Sequence, residues 1–190
     1  MTDSHNPKKP AMAGSCHCGA VTFTSTSMTT CITSCYCRCC SKVHGSRKLC
    51  ILSAFIVATI SLSAAYRILL RVCFLLPSKT CIAFAAFADV PTSDITWEGE
   101  MTTYSASSNS TRYFCKQCHT PLMMIYSELP HDTGVCATII DEDSLDTPLP
   151  KSSMNIFVKE KVSWYEIPPN TGPSYETFSP EWKEKYGWAR

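Results

Sequence analysis

The stretches Gly14-Ser15-Cys16-His17-Cys18-Gly19 and Phe114-Cys115-Lys116-Gln117-Cys118 decide how this chain folds. In extended backbone, residues i and i+2 point to one face, so Cys16 and Cys18 aim two sulfurs at one point. A Cys-x-x-Cys turn does the same for Cys115 and Cys118. Four thiolates make a closed structural zinc site, with sulfur ~2.3 Å from the metal. Such a site clamps the start of a domain to a turn far along the chain. In a small β domain the free energy of binding the metal is then folding free energy.

Between these pairs lies Cys35-Tyr36-Cys37-Arg38-Cys39-Cys40. Read as Cys-x-Cys-x-x-Cys, it offers Cys35, Cys37 and Cys40, three thiolates with a fourth position left for exchange, as catalytic zinc is usually held. By spacing alone Cys39 competes with Cys40, and a binuclear cluster drawing on all seven cysteines is a further partition. The thirteen cysteines are an odd total, which argues against a closed disulfide framework. Met1 to Ser15 is polar and lacks an apolar export signal, so a reducing, cytoplasmic setting with free thiols is expected.

Working outward, short β-type runs separated by turn residues predict a mainly β fold. Val21 and Phe23 alternate with threonines. Further strands are predicted over 82–87, 112–114, 122–126, 135–140, 156–158 and 162–167. Residues 1–13 read as a flexible leader, 14–167 as the zinc domain, and 168–190 as a tail rich in Pro, Tyr and Trp that packs on the surface.

The segment 47–82 is foreign to this pattern. It contains the uncharged, largely apolar run Leu49 to Tyr66, then Arg67 and Arg71. Its length borders on a membrane span of ~20 apolar residues. A single span would put the cysteines before and after it on opposite sides of a bilayer, so no membrane is expected. Two readings are left for it: a hydrophobic helical insertion, or translated intron in a mistaken gene structure.

The motifs together resemble the glutathione-dependent formaldehyde-activating enzyme family. Gly14 to Val21 resembles its opening G-x-C-x-C-G-x-V, and Cys35, Cys37 and Cys40 followed by Gly45-Ser46 its second motif. Tyr104 to Ser108 with Arg112 to Cys118 resembles its Y-x-S-S…R-x-F-C-x-x-C segment, while Phe157-Val158-Lys159 and Trp164 resemble its closing region. The resemblance implies an Mss4-like β-tent zinc fold and two Zn2+ per chain. Cys16, Cys18, Cys115 and Cys118 would hold the structural zinc, and Cys35, Cys37 and Cys40 the second, with family spacing favouring Cys40 over Cys39. It also implies a carbon–sulfur lyase that makes S-hydroxymethylglutathione from glutathione and formaldehyde. The chain departs from the family pattern at Tyr36 and Asn155, where His is common, at His119, where Gly is usual, and over Ala137 to Asp146. These departures put the substrate in question, and a lyase or transferase acting on a larger metabolite is the alternative enzyme.

Beyond the cysteines, Arg112 or Lys42 is a candidate for a glutathione carboxylate, with surface solvation the commoner fate of such residues. His44 is a candidate acid–base group, and Ser107 and Ser108 are candidate substrate contacts. His17 should point away from the metal between its two ligands, and His119 is not needed by the four-sulfur set. The acidic run Asp141, Glu142, Asp143 and Asp146 reads as a solvated loop. With 17 basic and 16 acidic residues the net charge is +1, which offers nucleic acid no broad attraction. The other class of function is a zinc-stabilised binding module without catalysis.

Overall fold

A computed structural model describes residues 9–44 and 83–188. Ten strands form two sheets among these residues. The small sheet has the order β1-β2-β5, from β1 (Met12–Ser15), β2 (Thr22–Ser25) and β5 (Ile95–Glu98), all antiparallel. In β2 the polar threonines face water while Phe23 turns inward, where it meets Trp97 of β5 at 5.1 Å between ring centroids. This is the period-2 pattern of a half-buried strand.

The large sheet runs β10-β3-β4-β9-β8-β7-β6. Its members are β3 (Ile32–Cys35), β4 (Ala85–Pro91), β6 (Met101–Ser107), β7 (Ser110–Cys115), β8 (Pro121–Tyr126), β9 (Asp132–Cys136) and β10 (Ser152–Ile156). Every residue of β3 is buried, as fits a strand flanked on both edges. On one side it pairs antiparallel with β4; on the other β10 runs parallel to it, with Ile156 opposite Cys35. That parallel pairing brings the closing strand level with the end of β3, where the second cysteine group begins.

Two short helices complete the described residues. The first, α1 (Arg38–His44), starts directly after β3. The second, α2 (Pro180–Tyr186), is bounded by strong local signals. Ser179 caps it by accepting from the Trp182 N–H at 3.3 Å, Pro180 sits in the first turn, and Gly187 ends it in the left-handed region at φ 66°. No helix among the described residues is long and apolar enough to cross a membrane.

The mainly β fold expected from the sequence is what forms, with several local differences. β1 begins at Met12, which is fully buried although it falls in the stretch read as leader. The run 135–140 is strand only to Cys136 and then winds into a 3-10 turn over Ala137–Ile139. The closing strand lies earlier than expected, because Phe157 takes a left-handed φ of 58° that extended backbone cannot continue through. Residues 162–167 form no strand. The insertion expected over 47–82 lies outside the described residues.

At Gly14, β1 lies against the 3-10 turn that follows β9. A Cβ there would lie 2.1 Å from the Ile139 carbonyl oxygen and 2.6 Å from the Phe23 ring. Nearby, the Asp141 N–H donates to the Ala13 carbonyl at 3.0 Å. Gly14→Ala should therefore lower the unfolding free energy by roughly 2 kcal/mol or more, because backbone has to move. A urea midpoint equal to that of the parent protein would show that the approach is looser than described.

Candidate metal centres

Cys16 follows β1 and Cys18 sits in the loop to β2; Cys115 ends β7 and Cys118 lies in the turn to β8. The two loops face each other across the two sheets, so the sulfurs of all four cysteines lie within 4.8 Å of one another. Cys16 and Cys18 are 3.5 Å apart, and Cys18 and Cys115 3.8 Å. A tetrahedron of sulfurs ~2.3 Å from a central zinc has edges of ~3.8 Å, so the donor set fits that ion in type, number and spacing.

Local backbone makes this possible. Gly19, at φ 74°, turns the first loop so that its N–H donates to the Cys16 carbonyl, and the Val21 N–H donates to the Cys16 sulfur at 3.3 Å. In the second loop the Cys118 N–H points at the Cys115 sulfur at 3.5 Å, and His119 occupies the left-handed region at φ 56°. Such N–H···S contacts favour the anionic form of sulfur. His17 and His119 are exposed and outside the sulfur group; the His17 N–H ties the loops together through Thr120 Oγ1 at 3.2 Å.

The second group joins Cys35 at the end of β3 with Cys37 and with Cys40 in α1, again within 4.8 Å of one another. Cys39 is outside both groups, because one helical step turns it away from Cys40. Hydrogen bonds from Cys35 and Cys40 hold the Cys37 thiol far down, at about 2, while the same contacts push Cys35 well above the usual thiol range. The three sulfurs therefore oppose one another's ionisation. Holding all three as thiolates calls for a cation, which is the fit a metal provides.

Arg112 corrects the expectation of a solvated surface residue. It is 5% exposed, with Nη2 3.7 Å from the Cys40 sulfur and Nη1 3.2 Å from Ser110 Oγ. Its Nε is buried with no hydrogen-bond partner among the described residues. Lys42, by contrast, is exposed. Burial, and then the Arg112 charge, lower the His44 imidazole to about 4, so it is neutral at physiological pH. Its ring sits against Cys136 at 3.8 Å and edge-on to Phe87.

Cys37, Cys40 and Arg112 open into a cleft of about 700 Å³. Ser107 and Ser108 line it, as the sequence suggested. The aromatic lining from Tyr126, Phe157, Phe178 and Trp188 was missed, because three of its four members come from after the domain's last strand. Asn155, one of the departures from family pattern, is fully buried and donates through Nδ2 to Thr171, Gly172 and Ser174, with Tyr36 hydroxyl on its Oδ1 at 3.5 Å. It fastens the tail and does not line the cleft. The acidic residues Asp141, Glu142, Asp143 and Asp146 are exposed, and Asp146 pairs with Lys9.

Among known families, the model of the glutathione-dependent formaldehyde-activating enzyme matches residues 71–160. That span holds Cys115 and Cys118, takes in the end of the 47–82 segment, and leaves the five earlier ligand candidates to geometry. No curated protein matches the chain. Among solved structures, the chain is similar to a crystal structure of a Rhodobacter sphaeroides protein at 16% identity and a TM-score of 0.43, over 86% of this chain and 99% of that one.

Two outcomes follow from this geometry. Elemental analysis should find Cys40→Ser short of about one zinc per chain relative to the parent, with Cys39→Ser fully loaded; the reverse would exchange their places. Asp89 of β4 accepts from Thr33 Oγ1 at 3.3 Å and Cys31 Sγ at 3.6 Å, yet burial lifts its carboxyl to about 6. Its folded pKa lies above the unfolded ~3.9, so the native state binds the proton more tightly and stability falls as pH rises through that window. Asp89→Asn should accordingly be more stable than the parent at pH 8, with the gain shrinking by pH 5. A pH-independent difference in urea midpoint would contradict this.

Proposed function

Because residues 71–160 match the model of the glutathione-dependent formaldehyde-activating enzyme family, we propose that the chain is a zinc-dependent carbon–sulfur lyase that forms or cleaves the adduct of glutathione with a small aldehyde. One observation carries this reading. The three-cysteine group faces a cleft large enough for a peptide thiol, with a buried arginine beside the sulfurs.

In this reading Cys16, Cys18, Cys115 and Cys118 hold a structural zinc and Cys35, Cys37 and Cys40 a second one. The second zinc would supply the positive charge that keeps a bound thiol deprotonated at neutral pH. In the forward direction the glutathione sulfur gives its electron pair to the aldehyde carbon, forming the C–S bond. The carbonyl π pair moves to oxygen, which takes a proton from water, and the thiol proton leaves to solvent. Nothing is oxidised or reduced, and the reverse sequence breaks the same bond.

The chain's own residues orient these partners. Arg112 presents a fixed positive charge between Ser110 and Cys40, suited to the oxygen that becomes negative as the bond forms. The same charge also suits a glutathione carboxylate. Ser107, Ser108 and Asn109 line the far wall with hydroxyl and amide groups matching the peptide groups of glutathione. All-thiolate sites call for a reducing compartment, which favours the cytoplasm.

Exchange spectroscopy on formaldehyde and glutathione tests the reading. The zinc-loaded protein should accelerate exchange between free formaldehyde and its glutathione adduct. Cys37→Ser should abolish the acceleration while the four-cysteine zinc stays bound, and Arg112→Lys should reduce it by about tenfold or more. Acceleration no greater than that of a metal-free control would sink the proposal and favour a binding module.

A further inference from the structure

The cleft beside the three cysteines has two unlike walls. One is polar: Ser107, Ser108, Asn109, Ser110 and Arg112 from the β6–β7 hairpin, with Glu128 held by Asn109 Nδ2 at 2.9 Å. The other is aromatic. Phe178 packs edge-on against Phe157 at 4.8 Å and lies 4.3 Å from Trp188, which in turn stands 5.1 Å from Tyr126. All four rings are only partly buried, so they retain surface toward the cavity.

A formaldehyde adduct does not use this arrangement. Its carbon bears only hydrogens and a hydroxyl, so the peptide of glutathione would occupy the polar wall and leave the aromatic one against water. We propose that the adduct this cleft accepts carries an aromatic group on the aldehyde carbon, packed on Phe157, Phe178 and Trp188 while the glutathione peptide lies along the Ser107–Arg112 wall. This deepens the lyase reading and rests on it, since it names the aldehyde class for the same site.

The aromatic wall is also built before any ligand arrives. Phe157 is set by its left-handed backbone at the end of β10, and Phe178 directly precedes the Ser179 cap of α2. The Trp188 N–H donates to the Lys183 carbonyl at 3.1 Å, fixing the chain just beyond the helix. Asn155 anchors residues 171–174, from which the tail returns over the cleft. Rings held this way lose little freedom on binding, and a further ring gains edge-to-face or offset contacts with them. A hydroxymethyl group offers no such contact.

Stable thioethers separate the two aldehyde classes without relying on turnover. Isothermal titration calorimetry on the zinc-loaded full chain would compare S-benzylglutathione with S-methylglutathione. The benzyl compound should bind at least tenfold more tightly, and Trp188→Leu should bring the ratio to within about threefold. Equal affinities in the parent protein would overturn the inference, whatever the variant does. Formaldehyde exchange involves no aromatic group, so the lyase reading stands or falls on that separate measurement.

Discussion

Four sulfurs within 4.8 Å of one another, drawn from loops on two different sheets, are the constraint on which the rest of this structure depends. Two unit charges at ~4 Å repel by about 4 kcal/mol even at an effective dielectric of 20, so four thiolates cannot gather there unaided. A divalent cation reverses the sign of the whole arrangement. Held by the four cysteines, it would turn the place of greatest repulsion into the point where the small sheet is fastened to the large one. The Gly19 and His119 turns, the N–H groups aimed at sulfur, and the glycine that lets β1 lie against the Ile139 backbone all serve that junction.

From that junction the second group is positioned at one remove. β7 carries Cys115 at its end and Arg112 three residues earlier, in unbroken register with β6 from Tyr104 to Met101. An odd separation along a strand sends the two side chains to opposite faces. One strand therefore delivers a ligand candidate to the four-sulfur group on one face and a guanidinium to the three-sulfur group on the other. The end of β3 supplies Cys35, and the immediate start of α1 folds Cys40 back beside it, so the group spans a strand-to-helix corner.

The cysteine grouping was legible because its geometry is local. Cys-x-Cys and Cys-x-x-Cys each bring their own two sulfurs together before anything is known of the sheets, though spacing alone left the partition of the seven open, and thiol-rich clusters are chemically unusual. Family spacing favoured Cys40 over Cys39, but the helix that turns Cys39 aside was not announced by the sequence. Arg112 was legible only as a candidate for a substrate carboxylate; its burial beside Cys40 was not, since an arginine in a strand of alternating polarity looks solvated until another segment brings thiols to its side. The aromatic wall was hidden for a similar reason. Phe178 and Trp188 reach it only because a buried Asn155 and the capped α2 steer the tail there, and those are contacts between distant parts of the chain. Met12 was read as leader from its polar neighbours, yet its place in the core is set by pairing with Ser25.

Charge ties the metal and the arginine together. Three thiolates around a divalent cation leave one net negative charge in a largely buried place, and Arg112 contributes one positive charge 3.7 Å from the nearest of those sulfurs. A buried guanidinium is costly unless paired, and so is a buried anion. Each is therefore a condition for the other, and together they form a nearly neutral floor to the cleft. A neutral floor favours a neutral reacting group over a second strongly charged one. In the proposed lyase reaction the uncharged carbonyl carbon that meets the bound thiolate would satisfy that requirement.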